Sequence, residues 1–487
     1  MKLKAPFFLL LLPVFFVLHG FMENYNFVPV KDALLLIALY IGCSLLFVLP
    51  AWLLFRDFTK AAMVGIYIMS FHFFFGSMHD LLKRLFPGSF LSKYSFIIGG
   101  AFVVLLALII ILKKRKQPVT RIAYYLNILF VVLILIDGVM LAGKMTASKK
   151  KTLTLPEGMT VCTDCPQPDI YFIIADEYIS NSSLKEEFNF DNTAFVQELA
   201  NRGFHTIPHS SSNYNYTPHS IASTLNMDYL DLKTKIKKDQ PDLALCYQTI
   251  QNNRLLKFLQ FHGYAFYNYS IFDFNGQPSR NEVSFLPVKT KLITGQTFLS
   301  RFNRDIRFNL ITRFKSKNEL KRVTYSVLHN NEDIYNLTKE TIATTDNRPK
   351  FVFTHLHIPH YPYYFDHNGK EQPLEKLVEG NQVNKAMYVE YLQYGNKKYL
   401  ELIDEILKHS KQPPVIILMG DHGFRHFETD VDPKYFYQNF VTLRLPANNY
   451  TLFTDSLTNV NFFRVFLNTQ FRQQLPLLKD STTFIVE

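Results

Sequence analysis

The first third of this chain contains five apolar stretches, at about Pro6–Phe21, Ala33–Phe55, Ala61–Met78, Ser95–Leu112 and Ile122–Ala142. Backbone buried in hydrocarbon must satisfy every N–H and C=O internally, so stretches of this kind cross a bilayer as α-helices. A hydrophobic protein core is the competing explanation. It is weak, because five long apolar segments with charged loops are hard to bury otherwise. The sequence therefore predicts a transmembrane bundle of about five helices over residues 1–142. A signal peptide is the alternative for the first stretch, but we see no small-residue cleavage site near His19–Glu23. His72 interrupts the third stretch.

Basic residues set the expected orientation. Lys2 and Lys4, then Arg56 and Lys60, then Lys113, Lys114, Arg115, Lys116 and Arg121 fall on one side if all five stretches cross. Lys83, Arg84, Lys93 and Lys149–Lys151 fall on the other and oppose the pattern. An odd number of crossings places everything after Ala142 outside the cytoplasm. The formal net charge is +11, without a Lys/Arg-rich tail or a nucleic-acid motif. The excess fits membrane flanks and contact with anionic lipid or phosphate, and nucleic acid is not an expected partner.

Residues 143–167 read as a linker, rich in Lys, Thr and Pro. Cys162 and Cys165 lie in it as a single CxxC; Cys43 and Cys246 stand apart. A zinc ribbon needs a second pair. A local, structural disulfide on an oxidising face is the other reading.

Residues 168–487 read as an α/β/α domain with a mostly parallel sheet. Three short apolar runs end at metal-ligating residue types. Ile170–Ala175 leads to Asp176 and Glu177, Phe351–Thr354 to His355, His357 and His360, and Val415–Gly420 to Asp421 and His422. Open α/β sheets place their chemistry at the carboxyl ends of such strands. Thr193–Asn201 is expected as a helix and Phe204–Ile207 as a short strand.

Thr217-Pro218 has the character of a helix start, with Thr217 as cap. As a cap alone it carries no chemistry. Close to a metal at Asp176, Asp421 and His422, its hydroxyl becomes a nucleophile. The Asp421–His422 pair suits Zn²⁺ or Mn²⁺, or else forms an Asx-turn. Gly423 lets the backbone turn sharply beneath the ion. His355 and His357 alternate onto one face of an extended segment. With His360, and with Arg425 and His426 after the second motif, they read as substrate contacts donating to phosphoryl or sulfuryl oxygens. Exposed loop residues are the plain alternative. Phe298–Arg322, basic and apolar, either rests on anionic lipid or forms a helix with a solvated charged face.

The order of these motifs resembles the sulfatase-like branch of the alkaline phosphatase superfamily. Pro168–Glu177 is similar to the opening strand of sulfatases, Gly420-Asp421-His422-Gly423 to their late DHG motif, and His357-Ile358-Pro359-His360-Tyr361-Pro362 to their H-x-P-H-x-P loop. The segment Thr217-Pro218-His219-Ser220-Ile221 departs from the C/S-x-P-x-R motif that becomes formylglycine. It is closer to the threonine nucleophiles of lipoteichoic acid synthases and lipid A phosphoethanolamine transferases. Those families also join about five spans to an extracytoplasmic catalytic domain. Their first metal ligand is usually Glu, where this chain has Asp176.

The resemblance implies a multi-pass protein of a bacterial-type inner membrane with a periplasmic catalytic domain. Its expected cofactor is Zn²⁺ or Mn²⁺, with Ca²⁺ or Mg²⁺ as alternatives, bound by Asp176, Asp421, His422 and Thr217 with Glu177 as a further ligand. Its expected activity is that of a phosphotransferase or phosphodiesterase on lipid head groups or envelope glycans, passing a group from an anionic or zwitterionic phospholipid through Thr217 to a glycan, a lipid or water. A sulfatase or phosphatase, and a non-catalytic binding protein, are the alternatives.

Overall fold

The computed structural model describes residues 5–486, except 26–27, 87, 150–153, 233–242, 275–276, 278, 280–289, 304–305, 307–316, 345–346, 378–381 and 428–430. Lys2, Lys4, Lys150, Lys151 and much of the basic stretch before Arg322 lie outside the described residues. The chain divides into two compact units. One is Met1–Lys151 with Glu282–Leu320, and the other is Thr152–Asn281 with Lys321–Glu487. The excursion at 282–320, read from sequence as part of the α/β domain, thus groups with the apolar helices.

The first unit contains α1 (Phe8–Glu23), α2 (Val30–Phe55), α3 (Phe58–Leu85), α4 (Tyr94–Lys114) and α5 (Thr120–Lys149). Helices α2 to α5 are long and apolar enough to cross a membrane. Helix α1 has 16 residues. At ~1.5 Å per residue it is roughly 24 Å long, short of the ~30 Å hydrocarbon core. Five crossings were expected; among the described residues four helices meet the length. Helix α5 also continues to Lys149 and absorbs the start of the expected linker.

Helix α1 runs alongside α5 in the same direction. The Phe8 N–H donates to Asn127 Oδ1 at 2.6 Å near one end, and Lys144 Nζ donates to the Met22 carbonyl at 2.7 Å near the other. Side chains such as Val103 and Val139, 64% and 74% exposed, face outward from α4 and α5. That much uncovered apolar surface is stable only against hydrocarbon.

In the second unit, Cys162 and Cys165 are joined as a disulfide. Then follow β1 (Ile170–Ala175), α6 (Asn181–Phe188), α7 (Thr193–Asn201), β2 (His205–Ile207), α8 (Thr217–Asn226), α9 (Leu243–Gln251), α10 (Arg254–Phe261) and β3 (Ala265–Tyr269). After the excursion come α11 (Ser326–Ala343), β4 (Lys350–Leu356), α12 (Lys385–His409), β5 (Val415–Gly420), β6 (Val441–Arg444) and α13 (Asn459–Phe471).

The six-stranded sheet has the order β2-β6-β5-β1-β4-β3. Its centre β5-β1-β4-β3 is parallel, and β6 alone runs against its neighbours. Strands β1, β4 and β5 are buried along their whole length. Apolar side chains of β1 pointing to one face (Ile170, Phe172, Ile174) share a core with residues of α8, α10 and α13. The alternate residues Tyr171 and Ile173 pack with residues of α11 and α12. A strand covered on both faces has no polar side, which is why these segments read as continuous apolar runs.

Candidate metal centre and nucleophile

Register brings the three strand ends together. Ala175 of β1 lies opposite Leu356 of β4 and Gly420 of β5. The next residues, Asp176, His357 and Asp421, therefore leave the sheet at one level. Asp176, Asp421 and His422, all buried, each bring one ligand atom within 4.8 Å of the others. Glu177, His360 and His426 form a second group by the same measure. Glu177 thus sits with the imidazoles that follow the strands and not with the first carboxylate pair.

The backbone supports this division. Glu177 has φ +60°, a left-handed conformation that a side-chain-bearing residue adopts only when its surroundings hold it. Its N–H donates to Asp421 Oδ1 at 2.9 Å, and its carbonyl accepts from Tyr388 Oη of α12 at 2.7 Å. The Arg425 N–H donates to its carboxylate at 3.2 Å, and His426 Nε2 lies 3.5 Å from the same oxygen.

Asp176 is gripped by both alternating histidines. His357 Nδ1 stands 2.7 Å and His355 Nε2 3.3 Å from its Oδ2. Both were expected to contact substrate, and in the structure both imidazoles approach this acid. Burial by itself raises the Asp176 carboxyl, but the neighbouring His357 and His360, with His355 close by, hold it well below the usual carboxylate range. Burial pushes Glu177 well above that range, and Arg425 offsets only part of the effect. Two adjacent acids thus favour opposite protonation states, set by their neighbours.

Thr217 is the first residue of α8 and not its cap, which is Tyr216. Its hydroxyl is therefore not spent on the helix backbone. Thr217 Oγ1 lies 3.2 Å from His422 Nε2. The Nδ1 atom of His422 lies 2.7 Å from the Gly423 carbonyl. A carbonyl only accepts, so Nδ1 carries the proton and Nε2 presents a lone pair toward Thr217 and Asp421. His360 is arranged alike, its Nδ1 lying 2.6 Å from the Tyr361 carbonyl. In this tautomer its Nε2 presents a lone pair.

Second-rank contacts hold the frame. Ser220 Oγ donates to the Asp421 carbonyl at 2.5 Å, and Asn459 Nδ2 to the same oxygen at 3.3 Å. Asn331 of α11 clamps the His357 backbone, accepting from its N–H at 2.7 Å and donating to its carbonyl at 3.2 Å. Asn331, Tyr388 and Asn459 gave no sign in the sequence, since each is an ordinary polar residue within a helix. The Arg425 guanidinium stacks 4.9 Å from the Tyr216 ring centroid. Gly423 is needed for space and not for its turn. A Cβ there would stand 2.0 Å from the Tyr435 carbonyl oxygen, and no positive φ is involved.

The donor set fits a divalent cation. Asp176 Oδ1, Glu177 Oε2 and Asp421 Oδ2 are buried without a hydrogen-bond partner. A buried carboxylate oxygen left unpaired is costly, and a cation removes the cost.

No family model matches the sequence, and no curated protein matches it. Among solved structures, the chain is similar to the C-terminal periplasmic domain of EcEptC from Escherichia coli in complex with Zn. The identity is 12% over 65% of this chain and 86% of that one, with a TM-score of 0.40. It is similar to a protein in the alkaline phosphatase superfamily from Vibrio parahaemolyticus, with 13% identity over 66% and 72% of the two chains and a TM-score of 0.38. Over 95% of both chains it is similar to the integral membrane lipooligosaccharide phosphoethanolamine transferase A (EptA) from Neisseria meningitidis, with 12% identity and a TM-score of 0.36.

Proposed function

We propose that this chain is a membrane-anchored, metal-dependent phosphotransferase or phosphodiesterase acting on lipid head groups, with Thr217 as nucleophile. The observation that supports this most is the approach of Thr217 Oγ1 to His422 Nε2, at 3.2 Å, beside the buried Asp176 and Asp421. Asp176, Asp421, His422 and Thr217 would hold a divalent cation such as Zn²⁺ or Mn²⁺, which activates the hydroxyl and offsets charge on the phosphoryl oxygens.

The chain's own groups do the rest. Thr217 opens the positive end of α8, which favours its alkoxide and a bound phosphoryl group. A bond forms from Thr217 Oγ to phosphorus, its hydroxyl proton passing to solvent, as the bond from phosphorus to the lipid oxygen breaks and that oxygen takes a proton from solvent. A hydroxyl of a glycan, a lipid or water then attacks phosphorus and gives its proton to solvent, while the bond from phosphorus to Thr217 Oγ breaks and Oγ takes a proton back from solvent. The Glu177–His360–His426 group, with its orphaned carboxylate oxygen, is fitted to a second cation.

The sidedness follows from α2 to α5. If each crosses, the basic turns after α2 and after α4 share one face, and α5 ends on the other, whether or not α1 crosses. The positive-inside rule then puts the sheet-bearing unit on the extracytoplasmic side of an inner membrane.

Intact-mass analysis of the detergent-solubilised chain incubated with phosphatidylethanolamine or phosphatidylglycerol tests the reading. A mass increment mapping to Thr217, and absent from Thr217→Ala, is expected. Sulfate release from an aryl sulfate that survives Thr217→Ala would replace the proposal with a sulfatase. Failure of the purified chain to retain any divalent metal would replace it with a binding protein.

A further inference from the structure

The excursion Glu282–Leu320 belongs to the compact unit formed by the apolar helices. Its described part includes the helical turns Lys291–Thr294 and Phe298–Phe302. The first turn and Gln296, which lies between the two, are seated on α1 and α3 at places where those helices lack a side chain. A Cβ at Gly20 of α1 would stand 2.8 Å from Ile293 Cγ2, and Ile293 is buried in the core that α1, α2 and α3 share. The Gly76 N–H of α3 donates to the Gln296 carbonyl at 2.8 Å, and a Cβ at Gly76 would fall 2.5 Å from that oxygen. Each glycine is thus a slot that any larger residue would fill.

Polar chemistry locks the second turn. Arg301 is only 3% exposed and bonds through its guanidinium to Asp80 of α3 and to Gln296 Oε1. A desolvated arginine is tolerated only when paired in this way, so the contact specifies one seating. The Phe298 ring stands 5.5 Å from Phe71 and 5.0 Å from Phe75. The other side of the turn carries Leu299, 64% exposed. Asp80 lies 22 residues beyond Phe58, the first residue of α3. At ~1.5 Å per residue that is about 33 Å, close to the ~30 Å hydrocarbon thickness. The locked turn therefore sits where α3 leaves the hydrocarbon, on the side where α5 ends.

We propose that residues 290–303 are a membrane-interface anchor, held on α1 and α3 by Gly20, Gly76 and the Arg301–Asp80 pair, that inserts Leu299 among phospholipid acyl chains. The chain passes between the two units before 152, after 281 and after 320, so the anchor adds a second tether to the one after α5. A tethered catalytic unit meets membrane substrate at a raised effective concentration. The anchor stands independently of the chemistry assigned to Thr217.

The full chain in phosphatidylcholine–phosphatidylglycerol vesicles tests it. With Cys43→Ala and Cys246→Ala as background, a polarity-sensitive fluorophore on Leu299→Cys is expected to emit to the blue of one on Ser456→Cys. Brominated lipid is expected to quench only the former. An unquenched label at Leu299→Cys with the emission of the control would overturn the anchor. Trypsin on the reconstituted wild type needs no variant. Arg301 is expected to resist cleavage while exposed Lys479 is cut, and Asp80→Leu to make Arg301 cleavable. Wild-type cleavage at Arg301 as fast as at Lys479 would equally overturn it.

Discussion

At the scale of single residues, a hydroxyl and a glycine carry the site for reasons that only neighbours supply. Thr217 reads from sequence as a cap, yet Tyr216 takes that position and leaves the hydroxyl facing His422. Thr217→Ser keeps an oxygen there and should retain covalent labelling, whereas Thr217→Ala should lose at least about 10³-fold of the transfer rate, as for other nucleophile deletions. Gly423 is confined by the Tyr435 carbonyl. Gly423→Ala should destabilise the fold by about 1–3 kcal/mol through overpacking, read as a lower midpoint in thermal unfolding. An unchanged midpoint would mean that the β5 exit relaxes freely.

At the scale of elements, the strands and their helices act as one rigid frame. Strands β1, β4 and β5 are locked in parallel register, so a displacement of one residue would take Asp176 away from His357 and Asp421. Helix α11 secures the exit of β4 through the reciprocal Asn331 clamp on His357. Asn331→Ala removes both partners of the partly buried His357 N–H and C=O, at a cost of about 1 kcal/mol. We expect a lower turnover with little change in substrate KM, because the clamp orients His357 and touches no substrate. A rise in KM alone would show that His357 contacts the lipid instead.

At the scale of the whole chain, metal and membrane are separable. Chelation should lower the unfolding midpoint of the sheet-bearing unit, since a cation that binds only the folded state stabilises it by mass action. Differential scanning calorimetry with and without EDTA, followed by Zn²⁺ or Mn²⁺ add-back, measures this; a midpoint indifferent to both would remove the metal centre. In a background lacking Cys43 and Cys246, Gln117→Cys should escape an impermeant maleimide in intact cells and Ser456→Cys should react. The reverse pattern would invert the orientation proposed from α2 to α5.

Much of this organisation was legible in the linear chain, because its determinants are local. Apolar length declares a membrane helix, and a doubly covered strand declares itself as an unbroken apolar run, as at Ile170–Ala175 and Val415–Gly420. The acids and imidazoles at the strand ends were visible for the same reason. Tertiary structure alone decided who meets whom. His355 and His357 turn to Asp176 because of strand register, Glu177 joins His360 and His426 because its backbone is held left-handed, and Asn331 reaches His357 from a helix with no marking signal. It also decided that 290–303 seats on α1 and α3, through slots at Gly20 and Gly76 that only packing reveals. Local pattern reports what each segment must bury; the partner that buries it is a long-range choice, made when the segments close-pack.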